Sequence, residues 1–171
     1  MTLTRHAVAL FAAALCMAVS AQPRPSLLPP GVAEELRQRG FRATDLQDLV
    51  LKDDYRSEAS GVRHLYLRQR WQGIEVWNGD IAVHVLPGGE VLKLNVGALA
   101  GIAKRVNATE PVLSAQQALA GVLARTLPGT PLPALLAAED EGRRLRYDGA
   151  SFSGQPATVQ LVYQPMGEEL R

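Results

Sequence analysis

The sequence predicts an α+β fold, in which an antiparallel β-meander with packed helices is followed by a region of one helix and further strands. Residues 62–96 contain short β-patterned runs separated by glycine-containing turns. Residues 114–127 have the capping and apolar spacing of a helix, and residues 157–163 alternate between apolar and polar as a strand does. Because runs this short and turns this tight join neighbouring strands, we expect the meander to be antiparallel.

The N-terminal residues have the layout of a secretory signal peptide. Arg5 precedes an apolar run at residues 7–19, and small residues lead to an expected cleavage after Ala21. The run is too short to cross a bilayer as a helix. We therefore predict a secreted or periplasmic protein, with a signal peptide at residues 1–21 and no membrane association after its removal.

The composition excludes several classes of partner and chemistry. With Arg5 removed, 17 of the 18 Lys and Arg residues remain, which balances the 17 Asp and Glu residues. A balanced chain offers no electrostatic footprint for nucleic acid or an anionic membrane. The single cysteine, Cys16, leaves with the signal peptide, so we expect neither a disulfide nor a thiolate nucleophile.

The mature chain divides into three predicted parts. Residues 22–45 are a proline-rich connector and a short helix that Gly40 caps. Residues 46–98 hold the meander, which begins with a strand closed by Asp53 and Asp54. Residues 107–171 form the second region, which we expect to be incomplete at its C-terminus: either the strand at 157–163 lacks a neighbour, or the chain is part of a longer protein.

Within the meander, the predicted runs are 62–71, 74–77, 81–85 and 91–96, with turns at Gln72-Gly73, Asn78-Gly79 and 87–89. In the first run one face carries Leu65, Leu67 and Trp71, and the other carries His64, Tyr66, Arg68 and Arg70. In the last run Leu92, Leu94 and Val96 share a side.

The second region begins with the predicted helix, which Ser114 and Gln117 cap as a capping box. A linker at 127–133 and an exposed charged turn at 139–146 precede the strand. A further turn and strand follow at 164–171. The predicted apolar face of the helix consists of Ala118, Leu119, Val122, Leu123 and Thr126.

Catalytic motifs are missing from the sequence: it contains no HExxH, G-x-S-x-G, P-loop or G-x-G-x-x-G. His64 and His84 fall on predicted strands and could begin a metal site with Asp53 or Asp54, although no further ligand is evident. A small metal-dependent enzyme is therefore an alternative. We predict instead that these residues are not an enzyme and carry no catalytic group, cofactor or metal of their own.

Residues 51–96 resemble the propeptide module, termed FTP, of fungalysin and thermolysin zinc metalloproteases. The resemblance lies in the order and spacing of His64, Tyr66, Gln69, Gly73, Val76, Asn78, Val83, His84 and Gly89. Residues 107–171 resemble the PepSY-like, cystatin-like half of such propeptides, and fungalysin precursors are the more similar group.

The resemblance implies a segment that assists the folding of a metalloprotease catalytic domain and inhibits it, in cis or in trans. Zinc is then expected only in that domain. As contacts with it we predict the exposed-looking positions Arg68, Arg70, Trp71, Trp77 and Asn78, although Trp71 could equally belong to the core. The alternative is a stand-alone exported binding or inhibitor module.

Overall fold

A computed structural model describes residues 27–167 and 169–170 of the chain. The predicted signal peptide and the start of the proline-rich connector lie outside the described residues. Among the helices that are described, none combines the length and the apolar character needed to cross a bilayer.

The predicted meander is confirmed as the centre of the main sheet. Two short helices, α1 (Val32–Gln38) and α2 (Ala43–Leu46), precede strands β1 (Leu49–Arg56), β2 (Arg63–Trp71), β3 (Ile74–Val85) and β4 (Val91–Val96). These strands pair in sequence order, and each neighbouring pair is antiparallel.

Helix α1 ends as the sequence predicts. Gly40 adopts a φ of +89°, and the amide of Phe41 reaches back to the carbonyl of Leu36 at 3.0 Å. The amide of Gly40 also donates to Arg37, which completes a Schellman motif. Val32 and Leu36 are fully buried. The helix thus covers the inner face of the sheet, and its cap fixes the direction in which the chain leaves it.

The main core lies between α1 and the inner face of the sheet. The alternation predicted for β2 is confirmed at Leu65 and Leu67, which are buried, and β3 contributes Ile81 and Val83 from the neighbouring strand. These side chains share one face because successive strand residues point to opposite sides. The outer face is consequently left to the polar and aromatic side chains of β1, β2 and β3.

The predicted turn at Asn78-Gly79 is wrong, because β3 runs through it without a break. Arg68 pairs with Asp80 and Arg70 pairs with Glu75, so β3 accommodates extra residues as a bulge. Asn78 has the positive φ of 57° that the sequence signals. Such a conformation serves a bulge as well as a hairpin.

Two other details of the sheet differ from the predictions for the same reason. Trp71 packs beside Ile74 and Val76 in a second cluster rather than beside Leu65, because the register shifts between Arg68 and Arg70. Leu92 is 58% exposed, because a second shift, between His84 and Val85, puts Val91 against the core in its place. Leu94 and Val96 do pack there.

The start of the meander also needs correction. Asp53 and Asp54 do not close β1, which continues to Arg56 opposite Arg63. The residues before it form α2, which the sequence did not predict. Two adjacent acids usually mark a strand end, but an edge strand beside solvent holds them at little cost.

The second region contains the predicted helix, α3 (Ala115–Thr126), with the capping box of Ser114 and Gln117. Leu119 and Leu123 are buried as predicted, whereas Val122 is 56% exposed and does not belong to the apolar face. The helix packs its narrow buried stripe against Tyr147 of a small sheet.

That sheet consists of β5 (Leu135–Glu139), β6 (Arg144–Tyr147) and β7 (Ala157–Gln160), paired in that order. The exposed turn predicted at 139–146 is confirmed in part. An exposed turn at Asp140–Gly142 joins β5 to β6, and the charged residues on either side of it belong to the two strands.

The predicted strand at 157–163 is split between two sheets. β7 pairs with β6, while β8 (Val162–Tyr163) pairs in parallel with β3 of the main sheet. The residues on both sides of Leu161 therefore have strand partners. The amide of Leu161 itself donates to the carbonyl of Arg143 at 2.8 Å. The predicted C-terminal hairpin is short, with β9 (Pro165–Met166) paired to β10 (Glu169–Leu170).

Candidate partner interface

The five residues predicted to contact a partner lie together at the end of β2 and in the bulge of β3, but only part of the set is free. Trp77 and Asn78 are exposed, with Trp77 at 50%. Trp71 is half-buried against the second core cluster. The bulge therefore presents a large aromatic side chain to solvent.

Arg68 is held within the sheet by two carboxylates. Its guanidinium donates to Asp80 at 2.6 and 3.1 Å and lies 3.5 Å from Glu75. Glu75 is only 8% exposed, and Lys52 of β1 approaches it from the other side at 3.1 Å. A buried carboxylate needs such partners, since an unpaired charge there is strongly destabilising. Arg68 thus completes an internal ion network.

Arg70 is likewise engaged, with Asp48 as its partner. Its guanidinium donates to one carboxylate oxygen at 2.8 and 3.1 Å, and the other oxygen accepts the amide of Gly73 at 3.0 Å. Gln72 and Gly73 both have positive φ, at 50° and 78°. Asp48 therefore joins the end of β2 to the tight turn that follows it, a role that no local sequence pattern indicates.

Among the motif residues, Gln69 has the most specific role in the fold. It is fully buried, and its amide nitrogen donates to the carbonyls of Asp45 and Leu99 at 3.1 and 2.9 Å. Its amide oxygen accepts the Leu99 amide at 2.9 Å. Val76 and Val83 are core residues, and Gly89 lies in the turn between β3 and β4.

Asp45, in helix α2, completes this buried polar group. Its carboxylate accepts the amides of Arg42, Gly101 and Ile102 at 2.8, 3.0 and 3.1 Å, and the residue is 1% exposed. The sequence pattern does not reveal its role, because two of its three partners, Gly101 and Ile102, lie more than fifty positions away. Asp45 and Gln69 together fix the loop that leaves β4.

On the outer face of the sheet, His64 and His84 stand directly opposite each other with their Nδ1 atoms 2.7 Å apart. One imidazole donates this hydrogen bond and the other accepts it. Tyr55 stacks on His64 at 4.8 Å between ring centroids, and Tyr66 meets the edge of His84 at 6.0 Å. The pair is thus a hydrogen-bonded element of an aromatic surface.

For the alternative of a metal-dependent enzyme, the described residues place no third metal ligand beside His64 and His84. Asp54 forms an ion pair with Arg63 at 2.6 Å, and the Arg63 hydrogen bond lowers the pKa of its carboxyl. In the part of the chain that the structure describes, no three His, Cys, Asp or Glu side chains group closely enough to hold a metal ion.

Acidification is expected to destabilise the protein through the histidine pair. Burial lowers the pKa of His84, and the neighbouring His64 and Lys93 lower it further, from an ordinary value of 6.5. The folded state therefore binds fewer protons than the unfolded state, so stability falls as the pH drops below 6.5 toward the lowered pKa.

Thermal unfolding across this range, compared with a His84→Gln variant, measures the effect. The wild-type melting temperature should fall more steeply with acidification than that of the variant. Asp54 contributes to the pH dependence of stability only at lower pH, below 3.8, because the pKa of its carboxyl is lowered in the folded state. Parallel curves for the two proteins would contradict the prediction.

The comparison with known families agrees with the sequence resemblance. Residues 47–96, which extend from the end of α2 through β4, match the family described as Fungalysin/Thermolysin Propeptide Motif. No curated protein matches the chain. The match includes Gln69, Gly73 and the paired histidines. It confirms the resemblance of this part of the chain to the fungalysin/thermolysin propeptide motif.

Proposed function

We propose that the chain is the propeptide region of a secreted fungalysin-like zinc metalloprotease precursor, and that it assists the folding of the protease domain and inhibits it. The propeptide motif at residues 47–96 is the observation that carries this proposal. The partner is the metalloprotease catalytic domain, in cis or in trans, and zinc belongs to that domain. Residues 107–171 serve as the PepSY-like half.

The geometry of the sheet supports a docking role for two features. Trp77 projects from the β3 bulge at 50% exposure, and tryptophan is a frequent anchor of protein interfaces. Strand β1 is an outer strand of the main sheet and exposes Leu51 and Tyr55, each at 45%. An outer strand can accept a strand from a partner. Arg68 and Arg70 shape this surface from within rather than making the first contact.

Replacement of Trp77 by alanine is expected to weaken inhibition of a fungalysin-type protease by about fivefold or more, because truncation of a central aromatic anchor costs more than about 1 kcal/mol. Since the side chain is half exposed, the fold should remain intact. The inhibition constant of the purified chain added in trans measures the effect, and circular dichroism checks the fold.

Val122→Ala is the matched control, because Val122 is also apolar and 56% exposed but lies on α3, outside the motif. It should inhibit as the wild type does. If the folded wild-type chain neither slows the protease nor improves its refolding, the proposed function is wrong. That outcome would favour the stand-alone exported binding module.

A further inference from the structure

The segment at residues 107–113, which joins the main sheet to α3, has the least internal support of any loop described. All of its residues are exposed, and Val112 reaches 98%. It makes no hydrogen bond within the described part of the chain. An exposed backbone without internal hydrogen bonds can enter a protease cleft with little local unfolding.

The packing beneath the segment is also loose. A cavity of about 310 Å³ lies between it and the side chains of Ile74, Leu161 and Tyr163. A second space of about 440 Å³ adjoins it beside Gln72 and Arg143. The segment therefore spans open space rather than filling it, and few contacts oppose its displacement.

Two other loops of the described chain are tied down by hydrogen bonds. The 57–62 turn closes with bonds between Ser57 and both Gly61 and Val62, at 2.8 Å each. The loop after β6 folds back on Gly149, whose carbonyl accepts the amides of Phe152, Ser153 and Gly154. Such loops must open before they can be cut.

We propose that residues 107–113 are the primary proteolytic processing site of this chain, and that the two fragments remain bound to each other after the cut. In the reaction a peptide C–N bond breaks, the acyl carbon takes the hydroxyl of a water molecule, and the nitrogen takes a proton. An exogenous or partner endopeptidase catalyses this step. The inference does not depend on the proposed function.

The contacts that hold the fragments together cross the site of cleavage. β8 lies after the cut and pairs with β3, which lies before it, at Glu75–Val162 and Val76–Tyr163. Tyr163 is 3% exposed and packs with Ile74 and Ile102 in the second core cluster. A C-terminal strand thus completes the core of the N-terminal fragment.

A second contact reinforces this one from the small sheet. Arg143, in the β5–β6 hairpin, places its guanidinium against Gly73, where an added Cβ would lie 3.1 Å from it. Within the C-terminal fragment, the amide of Leu161 bonds to the carbonyl of Arg143, which links this hairpin to the residue before β8. Cleavage and separation are therefore distinct events, because the C-terminal fragment leaves only when β8 is withdrawn from β3.

The test is brief digestion of the purified chain with proteinase K, with mass spectrometry to locate the cuts. The first cut is expected within 107–113. On size-exclusion chromatography the cut protein should elute as one species in native buffer and as two species in urea. A first cut in another loop of the described chain, or separate fragments in native buffer, would overturn the proposal.

Two variants of Tyr163 show what holds the fragments. The Tyr163 hydroxyl is buried without a hydrogen-bond partner. Tyr163→Phe should therefore keep the fragments together, since it removes only the unpaired group. Tyr163→Ala should let them separate after the same cut. The alanine variant is informative only if it is folded before digestion. In either case, the proposal is refuted if the two fragments of the cut wild type or of the cut Tyr163→Phe variant separate in native buffer.

Discussion

Replacement of Asp45 by alanine is expected to lower the free energy of unfolding by about 3 kcal/mol, because three backbone donors, one of them buried, lose their acceptor. The carboxylate accepts the backbone amides of Arg42, Gly101 and Ile102, and it is 1% exposed. Urea denaturation of both proteins measures the loss.

Asp53→Ala is the control for this substitution. Asp53 is exposed on β1, and its carboxylate accepts only the amide of the next residue, Asp54. Its replacement should change stability by no more than about 0.5 kcal/mol, as is usual for surface positions. If the two variants were equally stable, the buried polar group would not be what holds the loop after β4.

The elements that the sequence predicts correctly are those with a local cause. The α1 cap needs only Gly40 and the residues just before it, and the α3 cap needs only Ser114 and Gln117. The alternation of Leu65 and Leu67 likewise follows from the period of a strand. In each case the partners lie within a few positions, so a sequence pattern contains the whole interaction.

The wrong predictions arise where a distant part of the chain decides the outcome. Asn78-Gly79 permits a hairpin or a bulge equally, and the pairing of β3 with both β2 and β4 selects the bulge. The run at 157–163 has one pattern but two sheets, because Leu161 bonds to Arg143 while Tyr163 joins β3. Periodicity describes one strand and cannot choose its neighbour.

The candidate interface shows the same division. The sequence predicts an exposed aromatic at Trp77, and this side chain is exposed. The same reasoning predicts free charges at Arg68 and Arg70, yet Asp80, Glu75 and Asp48 form ion pairs with them. These acids are separated from their partners by up to 22 positions. A charge on the outer face of a sheet is therefore informative only when its cross-strand partners are known.

Several of the motif residues support this surface from inside the fold. Gln69, Gly73 and Val76 do not project toward a partner; they hold the end of β2, the turn and the start of β3 in place. Much of the motif thus stabilises the bulge of β3, and Trp77 lies in that bulge. A substitution that moves the bulge should therefore affect stability and partner binding together.

Gly97→Ala is the substitution that tests this coupling. Gly97 follows β4, and its amide donates to the carbonyl of Asp80 at 2.7 Å. A Cβ there would lie 2.4 Å from the carbonyl oxygen of Asn78, and this backbone atom cannot rotate away. The bulge or β4 must shift, so we expect a loss of about 2–3 kcal/mol in the free energy of unfolding.

The same shift should displace Trp77, which adjoins Asn78, and should reduce inhibition beyond what the unfolded fraction explains. Gly88→Ala is the control, since an added Cβ at Gly88 meets nothing within 4 Å. Urea denaturation and the inhibition constant of each variant are measured on the same preparations. A Gly97→Ala protein as stable as the Gly88→Ala protein would contradict the close approach. A destabilised protein whose folded fraction inhibits normally would show instead that the bulge and the contact are independent.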